Sequence, residues 1–268
     1  MKKILILARM TFREALRRRI VLTGLLLGLC FLVLFSLGFH YIIDQVGAAA
    51  SPEVDPAGKA MSRIADIEGQ NALMLAGLYA VTFLSVAMAA LLGADTLAGE
   101  IGSGTIQTIV TKPIRRSDVV LGKWLGFAVL LALYFGLMAG GVVASVWLQT
   151  GYAAHNLPLG LALIYLESLL IMSISLAGSS AFSALATGGL VFGLYGLAFI
   201  GGWIEQIGAI LQNATAVKVG IIASLIIPSE TLWRRAAFEM QTPMAGVLGG
   251  MSPFGATSVP SPLMIAYA

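Results

Sequence analysis

The sequence predicts an all-α fold, a polytopic bundle of membrane-spanning helices, and three observations carry that prediction. Apolar residues make up 58% of the chain and charged residues 11%, against about a quarter charged in soluble domains. Mean hydropathy is +0.92. The apolar residues are gathered into runs long enough to cross a hydrocarbon core, which takes about 20 residues of helix, and the charges lie between the runs. Full spans are expected at 20–43, 73–94, 119–148, 159–177 and 189–204, with the start of a sixth at 261–268, all within one transmembrane domain, 1–268. The formal charge of +3 is small, so its placement matters more than its sum. The lone cysteine, Cys30, rules out an intrachain disulfide or a cysteine-based metal cluster. Neither a metal nor another cofactor is expected in the chain, and no nucleic-acid partner.

Residues 1–19 hold seven basic side chains from Lys2 to Arg19 against one acid, Glu14. Leu5, Ala8, Phe12, Ala15 and Leu16 recur at helical spacing while Arg9, Arg13 and Arg17 form an i, i+4 stripe. This predicts an amphipathic elbow helix lying in the headgroup layer, arginines toward lipid phosphates. A signal peptide would begin similarly, but the apolar run 20–43 far exceeds the roughly 7–15 residues of a signal h-region. The first span is therefore read as an uncleaved anchor with its N-terminus in the cytoplasm, in the cell (inner) membrane. Residues 44–70, with two prolines and a surplus of acids, read as an exposed, partly mobile outer spacer. Span two returns the chain to the cytoplasmic side, where Asp95 can reach water.

Residues 98–124, AGEIGSGTIQTIVTKPIRRSDVVLGKW, form a polar and basic island on that side. Gly99, Gly102 and Gly104 weaken a continuation of span two, since glycine costs about 1 kcal/mol relative to alanine in a helix. Ser103 can cap a short helix through Thr111, and Pro113 stops it. Ser117 can cap the next helix with Asp118 in its first turn. On physical grounds, a separate short helix across the end of the bundle and an interfacial loop covering its inner mouth stand level.

Gly24/Gly28, Gly122/Gly126, Gly136/Gly140 and Gly189/Gly193 supply small-xxx-small spacing for close helix packing. Span four contains Glu167, read as the one acid deep within a span, and such a carboxylate is costly unless paired, protonated or facing water. It is the substrate-path candidate, with Ser168, Ser173 and Ser175 able to share its seam; a protonated glutamate bonded to a neighbouring helix is the competing reading. Residues 214–227 are too short to cross easily and read as a re-entrant or interfacial helix. Trp233, Arg234 and Arg235 read as headgroup anchors, although basic residues there strain the positive-inside rule.

The run GEIGSGTIQTIVTKPIRRSDVVLGKWLGF resembles the loop between the second and third membrane helices of ABC-2 type permeases, the membrane subunits of ATP-binding-cassette transporters. Glu100, Gly104, Thr105, Ile106, Lys112, Pro113, Arg115, Arg116, Gly122 and Lys123 occupy the places of that pattern. RMTFREALRRRIVL resembles the family's approach to its first span, and GIIASLIIPSETLWRRAAF is similar to the branch named for maturation of multi-copper enzymes. The resemblance implies that 98–113 is a cytoplasmic coupling helix seated in a separate cassette ATPase. Ile101, Ile106 and Ile109 would make the apolar contact, and Glu100 and Lys112 the polar ones. It implies a homodimer of permeases working in the direction of export, with two ATPase subunits holding ATP and magnesium. This chain has no G-x-x-x-x-G-K-[ST], since Gly58-Lys59 and Gly122-Lys123 are followed by Ala60 and Trp124. Family permeases end with a full sixth span, whereas only 261–268 begins one here, so that span is expected to be truncated or missing.

Two other classes compete. An intramembrane enzyme lacks support in the sequence, because His40 and His155 lie apart with no H-E-x-x-H. A non-transporting scaffold would use the island only for docking, and ATP-dependent substrate movement separates it from a permease. Gly-, Ala- and Leu-rich spans with one buried acid are compatible with a lipid, a drug or a small sulfur- or copper-related cargo, the last implied only by the resemblance to the multi-copper branch.

Overall fold

The computed structural model describes residues 2–49, 56–102, 115–242 and 260–267, which are helical apart from short turns and include no strand. In chain order the helices are α1 (Lys2–Leu16), α2 (Arg19–Ala49), α3 (Pro56–Ala94), α4 (Thr96–Gly102) and α5 (Arg116–Thr150). They continue with α6 (Leu157–Gly178), α7 (Ala184–Ile210), α8 (Ala214–Ile226), α9 (Ser229–Met240) and α10 (Pro262–Tyr267). Five of the described helices are long and apolar enough to cross a membrane: α2, α3 with its continuation into α4, α5, α6 and α7. The short pair α8 and α9 is bent by 110° at its break.

Local chemistry sets these ends. Gly151 closes α5 in the left-handed region, φ 69°, and its N–H donates to the Trp147 carbonyl at 2.8 Å. Pro158 sits in the first turn of α6, where its missing N–H costs nothing. Ser183 caps α7 by accepting from the Ala186 N–H, and the Asn213 side chain caps α8 by accepting from the Thr215 and Ala216 N–H groups. Pro228 holds Ile227 extended and separates α8 from α9.

Helix α3 is the central post. Of its most apolar stretch 61% is buried, against 11% for α2, so α3 carries the core and α2 lies at the edge. Met74, Leu75, Leu78 and Val81 of α3 pack with Leu131 and Met138 of α5 and with Ile164, Ile171 and Met172 of α6. Hydroxyls tie the same helices together, as expected where lipid offers no other partner. Ser175 donates to the Ala90 carbonyl at 2.6 Å, and Tyr165 donates to the Ala128 carbonyl at 2.8 Å.

At one end of the bundle, the elbow face, α1 lies along the beginning of α5. The contact exists because α5 presents Gly122 and Gly126 there. A Cβ on Gly126 would fall 2.7 Å from the Ala8 carbonyl oxygen, and one on Gly122 would fall 2.6 Å from Leu7 Cβ. Lys123, 6% exposed, is buried beneath the same helix. Arg18, in the turn after α1, reaches Glu14 at 2.8 Å and Asp95 at 3.2 Å, joining the elbow to the α3–α4 junction.

Several expectations are corrected. The spacer over 44–70 is helical where described, since α2 runs on to Ala49 and α3 begins at Pro56, and its residues 61–70 are mostly exposed as expected. The chain also stays helical through Gly99 and Gly102, and the break comes at Asp95. There the Thr96 hydroxyl bonds back to Leu92 and the Gly99 N–H to the Asp95 carbonyl at 3.1 Å, carrying the helix past the glycines. Asp95 does reach water, its side chain being 47% exposed, and it also pairs with Arg18. Ser117 does not cap α5: the helix starts one residue earlier, after an extended Arg115 with no side-chain cap, although Asp118 does lie in the first turn. Among the paired glycines, Gly122/Gly126 hold the elbow and Gly24 meets Met88, whereas Gly136/Gly140 and Gly189/Gly193 have nothing within 4 Å.

Replacing Gly126 with leucine should therefore lift α1 from α5 and cost about 1–3 kcal/mol, read as a lower unfolding temperature in detergent and faster proteolysis within residues 2–16. Gly136→Leu, in open space, should leave both measurements unchanged.

Candidate functional site

The helices converge on a buried charged cluster near the face opposite the elbow. Glu167 lies about 15 Å along α6 from that face, at 1.5 Å per residue. It is fully buried, and neither carboxylate oxygen has a hydrogen-bond partner among the described residues. Glu205 on α7 faces Arg234 on α9, with 2.6 Å between Oε1 and Nη1, and their side chains are 5% and 3% exposed. The contact is one of charge rather than alignment, since no guanidinium N–H of Arg234 makes a hydrogen bond of good geometry among the described residues. Glu230 of α9, also buried, is wedged against Gly202 of α7, where a side chain would collide with it.

The cluster is assembled by the bent pair α8–α9. Helix α8 turns back along α7 from Asn213, whose N–H donates to the Gly208 carbonyl at 2.8 Å, and Gly201 lies against Ala223. Helix α9 then returns to the face it came from. Its last residue, Met240, packs on Gly160 at the start of α6, and the Met240 carbonyl accepts from Asn71 at 2.9 Å. Asn71 also donates to the Tyr152 hydroxyl at 2.7 Å, and Asn156 donates to Glu239 at 2.9 Å. Burial raises the Tyr152 hydroxyl pKa above its ordinary value, while the bond from Asn71 opposes the shift. Because both ends of α8–α9 lie at one face, the pair enters the bundle and leaves on the same side.

This arrangement corrects the reading of Trp233, Arg234 and Arg235 as headgroup anchors. Trp233 and Arg234 are buried, Trp233 against Tyr79 with ring centroids 4.7 Å apart. Arg235 alone stays part-exposed, pairing with Glu239 at 2.5 Å. Glu167 is likewise not the one deep acid. Glu205 and Glu230 join it, because α7 continues to Ile210 beyond the expected end at 204 and α9 folds inward. The serine seam also divides: Ser168 and Ser175 are buried and bond to backbone carbonyls, whereas Ser173 is exposed and accepts from the Trp124 indole at 2.9 Å.

Beside the cluster lies a cavity of about 560 Å³ between α2, α3 and α7. Tyr79, Phe83, Tyr195 and Phe199 make its aromatic wall, with Cys30 and Phe31 across from them. Tyr79 belongs to both features, since it lines the cavity and packs on Trp233, the neighbour of Arg234 in α9.

Of the other predicted site residues, Glu100 and Ile101 fall in α4 at the elbow face. Gly104, Thr105, Ile106, Ile109, Lys112 and Pro113 lie outside the described residues. The sequence reading missed Glu205, Glu230 and Arg234 as members of one site. The signal was the run of glycines at 201, 202, 208 and 220, which let α8 and α9 press close enough to α7 for these groups to meet.

Replacing Arg234 with methionine strips Glu205 of its guanidinium inside the bundle and should cost about 3–5 kcal/mol, measured by thermal unfolding in mixed micelles. The double change Glu205→Gln with Arg234→Met should recover most of that loss, because neither member of the pair is then left charged without the other.

No curated protein matches the chain. Residues 5–247 match the family described as ABC-2 family transporter protein. With that match covering all five candidate spans, the elbow and the bent pair, the chain belongs to the ABC-2 family of transporter proteins.

Proposed function

We propose that this permease subunit exports its substrate as a homodimer, driven by ATP that a separate cassette ATPase hydrolyses at its cytoplasmic face. The observation that carries the reading is the construction of the elbow face. The segment from α4 to the start of α5 is the proposed coupling element, containing Glu100, Ile101, Gly104, Thr105, Ile106, Ile109, Lys112 and Pro113. Both of its ends are tied to the elbow, one through Asp95 and Arg18, which also holds Glu14 of α1, and the other through the packing of α1 on Gly122 and Gly126. A push on this segment therefore moves α1, α3 and α5 together instead of bending a loose loop.

Charge supports the orientation. Arg9, Arg13, Arg17, Arg18, Arg19, Arg115, Arg116 and Lys123 gather at the elbow end of the chain's spans, which the positive-inside rule assigns to the cytoplasm of a cell (inner) membrane. The N-terminus then lies inside, and α8–α9 with its acids opens toward the outer side. On this reading ATP and magnesium belong to the partner ATPase, lipids surround the bundle, and Glu167 lies on the substrate path.

Changing Gly104 and Thr105 to glutamate should abolish transport-stimulated ATP hydrolysis in the reconstituted complex while the ATPase keeps its basal rate. Full stimulation in that variant would refute the coupling assignment. Glu167→Gln should lose transport while the complex assembles normally, as judged by co-purification of the ATPase.

A further inference from the structure

We propose that an anionic phospholipid is seated lengthwise in the groove between α2 and α3, with its phosphate at Arg19 and one acyl chain lying along the apolar floor toward Leu34. The site goes beyond the transport reading and does not depend on where the cargo passes.

The groove is continuous and has the depth of one leaflet. A cavity of about 300 Å³ between α2, α3 and α5 has Arg19 at its mouth and Leu84, Met88 and Tyr134 in its walls. Leu27 and Leu84 line both this cavity and the larger one of about 560 Å³, so the two open into each other. From Arg19 to Leu34 along α2, and from Leu91 to Ala76 along α3, the joined groove runs about 22 Å at 1.5 Å per residue. One leaflet with its headgroup layer measures about 20–22 Å, half of a bilayer's total of about 40–45 Å. The groove is also open sideways, since Leu27, Leu34 and Phe83 are 58%, 64% and 53% exposed. A chain enters it from the bilayer without crossing the bundle, and supplies α2 with packing that the bundle gives to only 11% of its apolar stretch.

Charge selects the head. Among the described residues no acidic side chain lines either cavity, and Arg19 is the one basic side chain that does. Arg19 is the first residue of α2, at the elbow face and therefore at headgroup level. Its neighbour Arg18 is held by Glu14 and Asp95, whereas Arg19 makes no ion pair among the described residues. A guanidinium matches the geometry of a phosphate and binds it bidentately. A zwitterionic headgroup offers the same phosphate but brings a quaternary amine among Arg17, Arg18 and Arg19, a repulsion that an anionic headgroup avoids. A free inorganic anion would gain nothing from the leucine walls, and an organic cation would find no counter-charge in them.

Photolabelling tests the seat on the full chain, purified and reconstituted in nanodiscs of phosphatidylcholine. A trace of phosphatidylglycerol or of phosphatidylcholine is added, each carrying the same diazirine halfway along one acyl chain, and adducts formed on illumination are mapped by mass spectrometry. The phosphatidylglycerol probe should label residues 24–34 and 76–88 about fivefold more than the phosphatidylcholine probe, the preference that one basic side chain gives at an anionic surface. In Arg19→Gln the ratio should fall below about twofold. Arg13→Gln, which removes the same charge from an exposed position on α1, should keep the full ratio. Equal labelling by both probes on the unaltered chain would mean a groove filled by any lipid and overturn the proposal. An equal fall in both variants would mean that the field of the whole elbow gathers the lipid, and the seat at Arg19 would be lost. Adducts on other spans with none on these two stretches would mean that a second copy covers the groove, which also overturns it. The headgroup comparison on the unaltered chain needs no variant, so misassembly of either variant leaves the test decisive.

Discussion

The structure depends on the contact between Arg234 and Glu205, because it allows α9 to turn into the bundle at all. A helix with Glu230, Arg234, Arg235 and Glu239 in twelve residues would ordinarily lie at an interface. Taking a lone guanidinium out of water costs several kcal/mol, and an opposite charge at short range with good surroundings is what offsets it. Glu205 supplies that charge at 2.6 Å. Once Arg234 is inside, Trp233 follows it to pack at a tilt on Tyr79, Glu230 is carried against Gly202, and Met240 reaches Gly160. The pair leaves a surplus of acid in the same space, and the candidate site arises from that surplus.

Close approach is the second condition. Attraction between helices in lipid comes from packing and hydrogen bonds rather than from water exclusion, so backbones must come near each other. Gly202 and Gly220 permit this at the charged cluster, and Gly122 and Gly126 permit it at the elbow. The two regions solve one problem with different polar fastenings. At the elbow Arg18 is only part-buried and shares itself between Glu14 and Asp95, an arrangement that water can relax. At the cluster both partners are sealed in. The elbow fastening is thus open to water, and the cluster fastening is shut away from it.

How far this was legible follows from what each signal measures. Hydropathy reads the length of an apolar run, and it located five spans because lipid-facing helices such as α2 must be apolar along their length. It placed their ends poorly: helix continues from Pro56 to Gly102 with little interruption, since polar residues beyond the bilayer can extend a helix as readily as end it. Capping chemistry placed Asp118 in the first turn but misassigned Ser117, because Arg115 already holds the extended geometry that starts α5. Glu167 stood out as an acid inside an unbroken run. Glu205 did not, since it falls after the run 189–204, and Arg234 looked like an anchor because a hydropathy profile cannot register a partner on another helix. The resemblance to ABC-2 permeases came from the island, and the family match over 5–247 bears it out.

Helix α3 relates the two ends of the molecule. It bears Tyr79 in the cavity wall and leads to Asp95 at the elbow, a separation of about 24 Å at 1.5 Å per residue. Its middle is the most buried of the spans, clamped by α5 and α6 through Leu78, Leu131 and Ile171 and by the bond from Ser175 to the Ala90 carbonyl. A close-packed helix of this kind transmits displacement as a rigid body, because interiors at crystalline density deform little. Movement of α3 at Asp95 must then shift Tyr79 and Phe83 relative to Tyr195 and Phe199, which are held on α7. The cavity wall is divided between those two helices, so its width is the quantity that such a displacement changes.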